Sequence, residues 1–142
     1  MYTLKFKRDN ISAKINFPAL EGDVGYDICS LEEKVVWPLF PKIFKTGVYL
    51  ELPNGYFADI RTRSGHGVKN NLRTHLGTLD SGYRGEVGIK LYNLGWKPYK
   101  VQKGEKIAQI VLHKAIVLPL EEVKELNPSV RNERGFGSTG RK

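Results

Sequence analysis

Cysteine is nearly absent from this chain: Cys29 is the only one in 142 residues. A single thiol excludes an intrachain disulfide and any multi-cysteine zinc cage. The three histidines, His66, His75 and His113, are scattered, so a structural metal site is not expected. Long apolar runs are missing too, and none approaches the roughly 20 residues that span a bilayer. The segment from Met1 to Asn10 is polar and charged, without the apolar core of a signal peptide. Hydrophobic residues make up 40% and charged residues 27%, an ordinary globular balance rather than that of a disordered chain. The length suits one domain. The expectation is a single soluble, intracellular domain with no membrane attachment, cytoplasmic or, for a viral protein, in the host cell.

Acidic residues are missing where basic ones cluster. Residues 61–75 hold Arg61, Arg63, Lys69 and Arg73 without an acid, and residues 131–142 hold Arg131, Arg134, Arg141 and Lys142 against Glu133 alone. These two stretches supply +7 of the formal net charge of +8. Such a surface suits nucleic acid, an anionic membrane or a polyphosphate ligand, or is merely a solvated basic face. Both stretches are rich in glycine and hydroxyls, a mixture that builds a compact anion pocket from backbone N–H groups as well as side chains.

Helical periodicity is scarce. Val87, Ile89 and Leu91 alternate along Glu86–Leu91, the pattern of a half-buried strand. Gly47–Leu52 and Tyr56–Ile60 are further strand candidates, parted by the turn-like Pro53-Asn54-Gly55. Lys106–Leu118 is a β-branched apolar run about twice the length of a typical strand, so a bend or break is expected within it. The one helical stretch is Leu120–Leu126, fenced by Pro119 and Pro128, and it needs docking to be stable. An all-β sandwich or barrel is predicted, with a final dozen residues that are mobile unless something binds them. There is no internal repeat and no composition break marking a second domain.

Three segments carry candidate chemistry. Gly135-Phe136-Gly137-Ser138-Thr139-Gly140 formally matches G-x-G-x-x-G, but only two residues follow, too few for the helix a dinucleotide site needs. What remains is an Arg-flanked glycine segment with one aromatic suited to stacking on a planar ligand, and Arg131 suited to gripping a phosphate. Arg61-Thr62-Arg63-Ser64-Gly65 can present guanidinium and hydroxyl groups to one anion. Gly77–Glu86 reads as a β-hairpin in which Asp80 is either a turn residue or a carboxylate that orients and deprotonates a water.

In order along the chain, Val24-Gly25-Tyr26-Asp27-Ile28, Arg63-Ser64-Gly65, Gly77–Glu86, Gly104-Glu105-Lys106-Ile107-Ala108-Gln109 and Arg131–Gly140 resemble the five motifs of the trimeric dUTPase family. The resemblance implies a distorted jelly-roll-like barrel of the β-clip type over residues 1–128, with one short helix, and a flexible arm over 129–142 that closes on the nucleotide. It implies hydrolysis of dUTP to dUMP and pyrophosphate on a Mg²⁺-bound triphosphate, in a homotrimer whose active sites lie between subunits. Asp80 would activate the water. Arg63, Ser64 and Gly65, with Gln109, would hold the phosphates, and Asp27 would meet the metal through its water shell. Tyr83 would pack under the deoxyribose and exclude a 2′-hydroxyl, while groups around Thr74, Thr78, Leu79 and Gly88 would read the uracil edge. Arg131 would hold the γ-phosphate, with Phe136 and Gly137 over the uracil ring.

The chain departs from the family pattern at three places. His66 stands where an apolar residue usually follows the Arg-Ser-Gly step, Thr62 where proline is frequent, and Asn132-Glu133-Arg134 where small residues are usual. The last leaves Arg131 and Arg134 as alternatives for the γ-phosphate, with spacing to Phe136 favouring Arg131. The rival readings are a dCTP deaminase relative and a basic β-barrel binding nucleic acid. Lys90 occupies the place of the deaminase's catalytic glutamate, and most aromatics sit in apolar strand contexts, so a single anionic nucleotide is the expected partner rather than a polymer.

Overall fold

The computed structural model describes residues 2–137, 139 and 140. Ser138 of the glycine-rich segment and the basic Arg141 and Lys142 lie outside the described residues. The chain is nearly all β. Its strands are β1 (Lys5–Arg8), β2 (Ile15–Asn16), β3 (Gly25–Cys29), β4 (Lys34–Val36), β5 (Lys42–Phe44) and β6 (Val48–Glu51). They continue with β7 (Tyr56–Arg61), β8 (Leu72–Thr74), β9 (Gly77–Asp80), β10 (Ile89–Asn93), β11 (Tyr99–Val101) and β12 (Lys106–Lys114). Among the described residues there is one helix, α1 (Ser64–Lys69), which joins β7 to β8.

The largest sheet has the order β2-β3-β12-β7-β9, antiparallel throughout. A second sheet has the order β5-β10-β8, and the pairs β1-β6 and β11-β4 complete the jelly-roll-like barrel. Alternation along the strands drives this closure. In β10, Ile89, Leu91 and Asn93 point inward while Lys90 and Tyr92 point outward. Ile28, Val36, Phe44, Val48, Ile89, Leu91, Val101, Ile107 and Ile110 meet in a single core, all essentially inaccessible. A large-to-alanine change at such positions costs about 2–5 kcal/mol.

The run from Lys106 breaks as its length predicts: the β12–β3 register shifts between Lys106 and Ala108, and the strand ends at Lys114. Two expectations fail. Leu120–Leu126 is not helical, because its apolar residues find no partner: Leu120 and Leu126 are exposed, and two turns of isolated helix do not hold. The helix forms instead at Ser64–Lys69, a stretch in which the sequence shows no helical periodicity. Gly65 and Gly67 make it a poor helix by propensity, and docking of the buried His66 supplies what propensity does not. Nor is Gly77–Glu86 a ladder-forming hairpin. β9 pairs with β7, whereas β10 pairs with β5 and β8, so the turn after Asp80 carries the chain from one sheet to the other.

Candidate functional site: two clefts on one chain

Asp27, on β3, sits opposite Gln109 on β12, which in turn sits opposite Arg61 at the end of β7. The chain then turns into α1, bringing Arg63 and Ser64 back over the same end of the sheet. Arg63 Nε donates to Asp27 Oδ1 at 2.9 Å, and Lys106 Nζ lies 3.0 Å from Asp27 Oδ2. Gln109 Nε2 donates to the Thr62 carbonyl at 3.3 Å. Asp27, Arg63, Ser64 and Gln109, with Gly25 and with Ala19, Gly22, Asp23 and Val24 of the loop before it, line an open polar cleft of about 360 Å³. A Cβ on Gly25 would meet the Gln109 side chain, whose end would have to shift to make room. The cleft therefore gathers Asp27, Arg63, Ser64 and Gln109, drawn from three of the sequence motifs.

A smaller cleft of about 160 Å³ lies elsewhere on the barrel, lined by Ile60, Thr78, Leu79, Asp80, Tyr83, Glu86, Val87 and Gly88. Its walls are fastened from behind. The Glu86 carboxylate accepts the N–H groups of Thr46 and Gly47 at 3.1 and 2.9 Å, and Thr46 Oγ1 donates to the Val87 carbonyl at 2.6 Å. Tyr83 donates its hydroxyl to the Glu86 carbonyl at 3.0 Å, which lays the ring against Gly85. Asp80 is exposed at the end of β9. The cleft thus presents a carboxylate, an aromatic ring and strand-edge backbone groups together.

Thr74 is not part of this grouping. It is buried, its hydroxyl 2.8 Å from that of Thr62, and its N–H donates to Thr62 Oγ1 at 3.0 Å. Gly65 is exposed beside Ser64. Near the end of the described chain, Arg131 Nε donates to the Arg134 carbonyl at 2.6 Å, Arg134 bonds to the Val130 carbonyl, and Phe136 and Gly137 are exposed. These four residues line neither cleft. Lys106 and Glu105 are the partners that sequence reasoning passed over. Both stand inside the fourth motif, but their pairing with Asp27 and His66 depends on chain folding.

The two clefts share no residue and stand far apart. From Asp27 to Asp80 is three strands across the sheet and four residues along it. That corresponds to about 14 Å across and about 13 Å along. One chain does not bring its water-activating candidate to its phosphate-holding candidates.

Among the described residues, no group of three or more His, Cys, Asp or Glu side chains gathers in a way that holds a metal. Asp27 is a single carboxylate with a cation at each oxygen. A lone carboxylate of this kind suits an ion that keeps most of its waters, with Asp27 accepting from them, rather than one held directly by several side chains. No described helix is long and apolar enough to cross a membrane.

A jelly-roll-like β domain with a cation-lined polar cleft and a second cleft offering a free carboxylate has the layout of a nucleotide hydrolase. The family model described as dUTPase matches residues 12–140. The Clostridium novyi deoxyuridine 5′-triphosphate nucleotidohydrolase is 45% identical over 139 residues, covering 96% of this chain and 98% of its own. That of Alkaliphilus metalliredigens is 44% identical over 142 residues, covering 99% of each. Among solved structures, a mutant Staphylococcus bacteriophage 80alpha dUTPase with dUpNHpp superposes with a TM-score of 0.91 at 31% identity, over 97% of this chain and 98% of that one. A mutant dUTPase from phage phi11 of S. aureus, described as coordinating a structural Mg(II) ion, superposes with a TM-score of 0.82 at 27% identity, over 87% and 97%. The chain belongs to the dUTPase family, enzymes of nucleotide metabolism that are dUTP diphosphatases.

Proposed function

We propose that the chain hydrolyses dUTP to dUMP and pyrophosphate, with Asp80 of one subunit acting on a triphosphate held by Asp27, Arg63, Ser64 and Gln109 of another. The observation that carries the reading is the separation of the two clefts: a complete site needs both, and one chain cannot supply both at one place. A homotrimer with sites between its subunits satisfies that requirement, as closed rings of identical chains do when an interface is heterologous.

The uracil and deoxyribose occupy the smaller cleft. Main-chain groups around Thr78, Leu79 and Gly88 meet the uracil edge, and cytosine is rejected because an unpaired buried polar group costs about 1–3 kcal/mol. The Tyr83 ring occupies the room a 2′-hydroxyl would need. Asp80 takes a proton from the attacking water, whose oxygen bonds to the α-phosphorus as pyrophosphate leaves. Mg²⁺ on the triphosphate supplies neutralisation of phosphate charge, and Arg63, Ser64 and Gln109 orient the phosphates so that the leaving group is in line. Residues 129–142 act as an arm over the 1–128 barrel. Arg131 holds the γ-phosphate, and Phe136 with Gly137 covers the base, excluding water.

The test is pyrophosphate release from dUTP, dTTP, dCTP and UTP with Mg²⁺, using the wild-type chain and Asp80→Asn. Release from dUTP alone is expected, with Asp80→Asn slowing kcat by about 10²–10⁴ while nucleotide binding changes by less than about tenfold. Conversion of dCTP to dUTP or dUMP would overturn the reading in favour of a deaminase.

A further inference from the structure

His66 has no role in the chemistry just described, yet it is the most constrained polar side chain near the larger cleft. It is 6% exposed, and its Nδ1 is buried with no hydrogen-bond partner. Its Nε2 lies 3.2 Å from Glu105 Oε2, the same oxygen that accepts the Tyr99 hydroxyl at 3.1 Å. The edge of the ring meets Tyr99 at a centroid distance of 5.8 Å.

The placement of these partners is what gives His66 a consequence for the cleft. Glu105 and Lys106 are adjacent, and so nearly are Arg63 and His66. Lys106 and Arg63 are joined through Asp27, and Glu105 and His66 are joined directly. Ser64 is therefore held between two links, one on each side: His66 to Glu105 on the turn before β12, and Arg63 through Asp27 on β3 to Lys106 at the start of β12. The helix has little stability of its own, so the links set where Arg63 and Ser64 stand.

We infer that His66 is a positioning residue: through Glu105 it fixes Arg63 and Ser64 over the triphosphate cleft, and it does so only while neutral. With the imidazole neutral, Nε2 stands 3.2 Å from Glu105 Oε2 and Nδ1 is left bare in a site without a partner. Protonation places a second N–H at Nδ1, buried and unpaired, which drives the ring out of its seat. The groups facing it are Glu105 on the turn before β12, which favours the proton, Arg63 ahead of α1, which opposes it, and the neutral Tyr99 on β11. Burial is the largest influence and holds the imidazole below its ordinary value. Loosening of the seat in acid would weaken the grip on phosphate without touching Asp80.

This inference rests on the dUTPase reading, and the experiment separates the two. KM and kcat for dUTP are measured from pH 5.5 to 8 for wild type, His66→Ala and His66→Gln, with the imidazole signals followed by NMR. If wild type does not turn over dUTP, the functional reading fails. If it does, His66→Ala is expected to raise KM about tenfold at pH 8 with kcat changed less than about threefold, and His66→Gln, which keeps a donor toward Glu105, to restore KM. Wild-type KM is expected to climb as the NMR titration of His66 proceeds, and KM of His66→Gln to stay flat. A wild-type KM that follows the same pH course as His66→Gln, or a His66→Ala KM equal to wild type, overturns the inference; a titration that coincides with the KM rise supports it even if His66→Ala fails to fold.

Discussion

Arg63 Nε donates to Asp27 Oδ1 across 2.9 Å, joining the second sequence motif to the first over 36 residues of chain. Lys106 completes the arrangement from the other oxygen, so one carboxylate orders two cations beside the larger cleft. Asp27→Asn keeps the shape and removes the charge. Its expected effect is a rise of about tenfold in KM for dUTP and in the Mg²⁺ concentration needed for half-maximal rate, with only a small loss of stability because the pair is partly solvent-screened. Steady-state titrations of dUTP and Mg²⁺ check this, and unchanged values would remove Asp27 from the site.

The distance between the two clefts yields a complementation test. Asp80→Asn and Ser64→Ala should each be impaired alone, one in the chemical step and one in phosphate binding. Mixed by refolding together in equal amounts, they should recover activity in about one quarter of the sites, since random assembly pairs an intact Asp80 with an intact Ser64 from another chain at that frequency. Absence of recovery in verified mixed trimers would place both residues in a single-chain site.

Gly85 gives a handle on sugar selection. A Cβ there would meet the Tyr83 ring, with Cε2 only 2.9 Å away. Tyr83 is half-exposed at the surface, so the ring can move and the fold should survive. Gly85→Ala is expected to raise the kcat/KM of UTP relative to dUTP by about tenfold, the scale set by losing one steric exclusion. Competition assays with the two nucleotides measure it, and an unchanged ratio would dissociate Tyr83 from the sugar.

His66 also ties stability to pH. Its folded-state value lies below that of the unfolded chain, chiefly through burial, with Glu105 opposing and Arg63 reinforcing the shift. The unfolded chain then binds more protons as pH falls. The contribution of neutral His66 is fully present above about 6.5 and is lost as pH drops toward the lowered folded value. Melting temperatures at pH 7.5 and 5.5 should fall more for wild type than for His66→Gln, and equal falls would show that the imidazole does not titrate on unfolding.

Strands were legible wherever polarity alternated with period two. Val48, Leu50, Ile89 and Leu91 point into the core as their spacing predicts, because a pleated strand sends neighbouring side chains to opposite faces. The break in β12 was legible from length alone. The helix was not. Leu120–Leu126 carries better helix formers than Ser64–Lys69, but helix formation in so short a segment depends on a surface to dock against. The Glu105–Tyr99 pair offers His66 such a surface. Likewise the ten residues from Gly77 to Glu86 have the composition of a hairpin, and the partners β7, β5 and β8 captured their flanks instead.

The residue types of the site, and their order along the chain, were written in the sequence: Asp27, Arg63, Ser64, Asp80, Tyr83 and Gln109 all stand in its motifs. Tertiary structure decided which of them meet. Antiparallel pairing of β3 with β12 puts Asp27 beside Gln109, and the turn into α1 brings Arg63 to the same place. The route of β9 to the far edge of the sheet carries Asp80 away from them. Side-chain chemistry is a local property that spacing can reveal, whereas distance between motifs is fixed only when buried faces select their partners across the whole barrel.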